Sequence, residues 1–236
     1  MRRLVCLFVA LPCGLTLAPA QADFSGELAL LSDYRFRGVT LSDRQPSLQG
    51  SLDWSGANGL FAGAILSTVR IGRPEPERGL GAQAYLGFNG ALRTGLGWSG
   101  GVTAYVLPTT SRGSADYQEV FLRLGSERWQ TGLYLSPDYY GGGEPSAYVT
   151  LAASRPLTQT VRTFAHVGWL VTGRSDEGTT AAARTQRFDL RLGLAWDFGF
   201  AVAEASIVAV TQDNERCRAD PDGCKATVVL ALRKSF

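Results

Sequence analysis

Charged side chains recur at alternate positions within otherwise apolar stretches of this sequence. Glu27, Asp33, Arg35 and Arg37 fall on one parity, and Leu28, Leu30, Tyr34 and Phe36 on the other. Arg187, Asp189 and Arg191 alternate in the same way with Phe188, Leu190, Leu192, Leu194 and Trp196. Asp53, Glu119, Arg123, Glu204 and Arg233 are candidates of the same kind, so six arginines stand against six acids. Successive side chains of a strand point to opposite faces. The pattern is therefore a row of fixed charges backed by an apolar surface. Such a row can screen solutes in a wet lumen, or join strands as cross-strand ion pairs, and both readings stay open for these twelve residues. Their balance of sign predicts weak net selectivity.

Other chemistry finds less support. His166 is the only histidine, with Ser154 and Thr163 nearby in the chain. A hydrolase would need a nucleophile and an orienting acid around it, but nothing in the spacing forces a triad, and no catalytic residue is assigned. One histidine and two cysteines that are better paired with each other do not make a metal site. The segment from Asp213 to Cys224 carries four carboxylates without the spacing of a calcium loop. Pro221-Asp222-Gly223 reads there as a turn. Gly141-Gly142-Gly143 lacks the context of a phosphate loop and reads as a loop. No cofactor is expected.

The elements that must carry the charges are strands. Alternation recurs along the chain and predicts strands near 24–37, 44–54, 60–71, 80–88, 94–106 and 117–125. Six more follow near 129–137, 146–154, 161–172, 185–196, 200–211 and 225–236. The gaps between them alternate between longer and shorter, as short periplasmic turns and longer outer loops do in an up-and-down barrel. A Greek-key sandwich has no reason to sort its connections so. An even count of twelve puts both ends on the periplasmic side. Trp54, Trp98, Trp129 and Trp196 adjoin the short turns, while Tyr34, Tyr105, Tyr117, Tyr139, Tyr140 and Tyr148 gather toward the longer loops. Two aromatic levels are expected at the two interfaces of a bilayer; Trp169 fits this scheme less well. Phe236 ends an alternating last strand, which resembles the signal read by the outer-membrane assembly machinery, although Lys234 departs from that pattern.

Residues 1–22 read as a cleavable leader. Arg2 and Arg3 precede an apolar stretch, and Ala20-Gln21-Ala22 offers the small residues that a signal peptidase takes, with cleavage before Asp23. Of the 23 Lys and Arg residues two leave with the leader, and the remainder balances the 21 acids. That excludes the basic surplus expected of a nucleic-acid partner. Cys6 and Cys13 also leave, so Cys217 and Cys224 are expected to form a disulfide in an oxidising compartment. Residues 23–236 suit one domain. With 28 Gly and one Met, the composition favours strands over helices. Beyond the leader no apolar run is long enough for a spanning helix, so crossing a membrane requires a closed sheet.

One stretch carries a family pattern: Ser32-Asp33-Tyr34-Arg35-Phe36-Arg37-Gly38-Val39-Thr40, followed by Gln45-Pro46-Ser47-Leu48-Gln49-Gly50. Tyr105-Val106-Leu107-Pro108, Tyr117-Gln118-Glu119 and Ser136-Pro137-Asp138-Tyr139-Tyr140-Gly141 continue it. The chain resembles the TorF-type porin family of proteobacterial outer-membrane proteins. The resemblance implies an outer-membrane channel of unspecified solute. The expectation is an all-β, antiparallel transmembrane barrel in outer-membrane lipid, passing small hydrophilic solutes. The alternatives are a barrel enzyme that hydrolyses lipids or esters, and a non-conducting structural barrel. Twelve strands should leave a narrow lumen, since about eight are filled by side chains and about sixteen leave a clear channel.

Overall fold

The computed structural model describes residues 22–71, 77–108, 115–173, 184–211 and 222–236. Fourteen strands occur there: β1 (Asp23–Leu31), β2 (Arg35–Phe36), β3 (Val39–Thr40), β4 (Ser47–Ser55), β5 (Leu60–Ile71), β6 (Glu77–Ala91) and β7 (Gly97–Val106), then β8 (Tyr117–Gly125), β9 (Trp129–Ser136), β10 (Ser146–Pro156), β11 (Val161–Gly173), β12 (Arg184–Asp197), β13 (Val202–Val210) and β14 (Thr227–Ser235). Twelve of them close into one antiparallel barrel in which β1 pairs with β4 on one side and β14 on the other. The remaining two, β2 and β3, pair only with each other.

The alternation of the sequence becomes an apolar outside and a mixed inside. On β12, Leu190 and Leu192 are 39% and 48% exposed, whereas Asp189 just before them is 5% exposed. The same inversion holds on β14, where Val228, Leu230 and Leu232 face outward and Arg233 is buried. A soluble sandwich buries its leucines and wets its charges; this barrel does the reverse, as a bilayer requires.

The chain closes on its last residue. Gly26 and Phe236 exchange backbone hydrogen bonds, each N–H donating to the other's carbonyl at 3.0 Å. The Phe236 ring lies so close over Gly26 that a Cβ there would stand 2.7 Å from it. A side chain at position 26 would therefore push the Phe236 ring from this place over the seam.

Three expectations need correction. The first wall strand does not run to residue 37: it ends at Leu31, and Asp33, Arg35 and Arg37 leave the wall. The connection between β5 and β6 is shorter than expected, because β6 extends out to Glu77. The tyrosines are not an outer girdle. Tyr117, Tyr139 and Tyr148 are 5–9% exposed and pack together inside, with Tyr105 and Tyr140 against them. Their parity on the strands is the inward one, which proximity to a loop does not reveal. At that level the outward aromatics are Trp169 and Phe188, stacked with centroids 5.9 Å apart. At the level of the short turns Phe24, Phe198, Phe200 and Phe236 are outward, together with Trp129.

Candidate functional site in the barrel lumen

Residues between β1 and β4 turn inward and fill the half of the lumen nearest the long loops. Asp33 organises the fold of this segment. Its carboxylate accepts from Thr40 Oγ1 at 2.6 Å, Ser42 Oγ at 3.3 Å and Arg35 Nε at 2.7 Å. Arg35 Nη1 also donates to the carbonyls of Gly38, Gly223 and Lys225, which ties the segment to the approach to β14. On the other side the Arg70 N–H of β5 donates to the Leu41 carbonyl.

At the tip, Arg37 and Gly38 join β2 to β3 with φ of 49° and 81°. Positive φ at both central residues is what a two-residue hairpin turn needs. Gly38 meets the far wall: a Cβ there would lie 2.8 Å from Asp189 Cβ and 2.9 Å from Val210 Cβ. Arg37 spends its side chain on several wall strands at once. Its Nη2 donates to both oxygens of Glu119 on β8 at 2.6 Å. Its guanidinium stands 4.2 Å from the Tyr148 ring centroid and 5.3 Å from that of Tyr139. Tyr105 OH adds a donor to Glu119 at 3.3 Å and stacks on Tyr117 with centroids 4.5 Å apart. The hairpin is thus a strap across the barrel, held at its far end by a buried ion pair.

Arg35 and Arg37 were expected on the lumenal face of a wall strand. They are inside the barrel, but on the strap. The physical reason is local: Ser32 Oγ and its N–H bond Leu230 of β14, which ends the pairing of β1, and Gly38 then allows a tight reversal.

The other half of the lumen carries a chain of charges across four adjacent strands. Arg191 Nη2 and Arg233 Nε each lie 3.3 Å from Glu204 Oε2, and Arg233 Nη1 lies 2.8 Å from Glu27 Oε1. Here the cross-strand reading of the charges applies, since the set links β12, β13, β14 and β1. Asp53 on β4 accepts from the phenol of Tyr85 on β6. Small inward residues such as Ser99, Ala152, Ala195 and Ser206 occupy much of the wall in this half.

Two arginines stand apart. The Arg123 guanidinium on β8 lies 4.4 Å over the Phe121 ring, and no described residue forms a hydrogen bond or ion pair with it. Arg187 on β12 makes one long contact, 3.5 Å from Nη2 to Tyr139 OH. The Nε of each is buried without a partner.

His166 lies 3.2 Å from Asp189 Oδ1 and 3.1 Å from Tyr148 OH. Tyr148 also donates to Asp189 Oδ2 at 3.0 Å. The hydroxyl beside the histidine is therefore a phenol; Ser154 and Thr163 pair elsewhere on their strands, with Phe164 and Arg155. Sequence reasoning missed the partners Tyr85, Tyr139 and Tyr148, having read the last two as girdle residues. Gly38 beside Arg37 was the available signal for the strap. Of the two expected disulfide cysteines, Cys224 is buried and packs on Val39, whereas Cys217 lies outside the described residues.

A closed antiparallel barrel with an apolar outside and a charged interior defines the class: an outer-membrane β-barrel. The chain belongs to the Gcw_chp family, described as bacterial proteins of unknown function, whose model matches residues 17–236. Among solved structures it is similar to the KdgM porin, with 8% identity and a TM-score of 0.51 over 90% of this chain and 99% of that one. It is also similar to an outer-membrane channel from Pseudomonas putida F1, with 16% identity and a TM-score of 0.51 over 97% of this chain and 100% of that one. At such identities the likeness is one of fold. A comparison with curated proteins found no match.

Proposed function

We propose that this protein is an outer-membrane channel through which small hydrophilic solutes diffuse, with the strap between β1 and β4 narrowing its outer half. The observation that carries the reading is the inside of the barrel. Glu27, Asp53, Glu119, Arg123, Arg187, Asp189, Arg191, Glu204 and Arg233 all turn inward from the wall, behind a lipid-facing surface of leucine and valine. A barrel whose only task was to persist in lipid would be better filled with apolar side chains, because an ionic interior must be desolvated on folding. Both similar structures are of proteins named as channels, an analogy of fold that agrees with the TorF-type resemblance. The phenol beside His166 supports a channel over a hydrolase, because a phenol held by a carboxylate does not supply the serine nucleophile of a triad. Residues 1–22 serve in this reading as the leader that exports the chain, and Phe236 presents β14 to the assembly machinery.

A second reading has its own support. Glu119 is 1% exposed and Asp189, Arg123 and Arg187 are 5% exposed, so water scarcely reaches them. A non-conducting barrel would look like this, and so would a channel whose strap moves. Purified protein in a planar bilayer separates the two. Discrete conductance steps are expected; their complete absence from well-folded protein would leave the structural barrel.

A further inference from the structure

The lumen charges balance in number but not in pairing. Among the described residues, Arg35, Arg37, Arg191 and Arg233 each have a carboxylate oxygen within 3.3 Å. Arg123 and Arg187 have none, and the Nε of each is buried without a hydrogen-bond acceptor. Among the described acids only Glu204 keeps a buried oxygen, Oε1, without a partner, and its other oxygen is engaged. Asp33, Glu119, Glu204 and Glu27 hold arginines. Asp189 holds His166 and Tyr148, and Asp53 takes the Tyr85 phenol. Unspent hydrogen-bonding capacity inside the barrel is thus concentrated on guanidinium donors.

A buried guanidinium N–H without an acceptor is costly, because it has lost its water without a hydrogen bond in return. Such a group is retained at little disadvantage only where an acceptor visits it. The fork of donors on a guanidinium matches a carboxylate or phosphate in plane and spacing. The two residues also sit at different depths. Arg187 lies near the long-loop end of β12, level with the tyrosine cluster, and Arg123 lies near the short-turn end of β8. They are two stations along one path, whereas the other described lumen arginines each hold a carboxylate.

Resting on the channel reading above, we propose that the solutes are small organic anions bearing a carboxylate or comparable oxyanion, and that Arg187 and Arg123 are successive stations which hand them through the barrel. An anion met by Arg187 in the outer half is released toward Arg123 in the inner half, and each station is weak enough to let go because it offers one cation rather than a cage. Neutral solutes of the same size gain nothing from either station.

The test uses the full barrel reconstituted in liposomes, with uptake of gluconate compared with uptake of glucose, a pair of similar size that differs in charge. Gluconate uptake is expected to exceed that of glucose. The ratio should fall to about one in the Arg123→Gln, Arg187→Gln double variant, and it should persist when both are changed to Lys, which keeps the charge. Reversal potentials under a salt gradient should show anion preference in the wild type and its loss in the Gln variant. Uptake of both solutes by the wild type without preference for gluconate, or a ratio unchanged by the Gln substitutions, would overturn the proposal while leaving a channel. Uptake of neither solute would overturn the channel reading itself, and this inference with it.

Discussion

Glu119 and Arg37 form the contact on which the strap depends. The Glu119 carboxylate is buried and accepts both short bonds from one guanidinium nitrogen, with Tyr105 as a further donor. Removing one member of a buried pair strands the other, which typically destabilises by about 3–5 kcal/mol. Arg37 also holds a positive φ that a non-glycine residue adopts at some expense, so its side-chain contacts are what keep the turn in place. In Glu119→Gln the strap should detach from β8 while the wall persists, because the backbone ladder of β7, β8 and β9 does not use this side chain. Single-channel conductance is expected to rise, and protease should cut between Asp33 and Arg44 in the variant alone. An unchanged conductance with the strap still protected would show that the tyrosine contacts suffice to hold it. For Arg35 and Arg37, where screening and ion pairing were both open, the geometry is that of ion pairs, with Asp33 and Glu119 respectively.

Among the elements, β12 shows most directly how period-two alternation becomes a membrane surface. Phe188, Leu190 and Leu192 are outward, while Arg187, Asp189 and Arg191 bond to the strap's neighbours or to β13. Spin labels at Leu190 and Leu192 should be relaxed by oxygen dissolved in lipid and shielded from a water-soluble nickel chelate. Accessibility to the chelate at both sites would contradict the outward assignment and favour a soluble sandwich. The connection ahead of β14 is the second element with a checkable consequence. Cys224 is fully buried against Val39 of the strap, and Arg35 binds the carbonyl of its neighbour Gly223. A bond from Cys224 to Cys217 would therefore anchor the loop that the strap leans on, with a stabilisation of about 2–3 kcal/mol on the chain-entropy account. Mature protein from the oxidising compartment should resist alkylation until a reductant is added. Free thiols at both positions without reductant would refute the pairing.

For the whole molecule, the sequence alone determined the strand count, the up-and-down order and the outward face. All three follow from local rules: alternation sets which side of a strand is apolar, and turn chemistry sets where a strand ends. Twelve strands were legible because each one repeats the rule independently, so that errors of a few residues at the ends do not change the count. The buried parity of wall charges such as Asp189 and Arg233 follows from the same alternation. What occupies the middle of the barrel was decided only by the tertiary structure. Parity placed Arg35 and Arg37 away from lipid, yet it could not show that β1 stops at Leu31 and that its continuation turns through Arg37 and Gly38 to meet β8, β10 and β12. Nor could it show which arginines find acids. Glu119 is 82 positions from Arg37, and Glu27 is 206 from Arg233. Closure of the barrel brings these residues together, and no local pattern encodes a distance across a lumen. That is why a balanced tally of charges read as weak selectivity, while among the described residues the lumen arginines Arg123 and Arg187 have no carboxylate in reach.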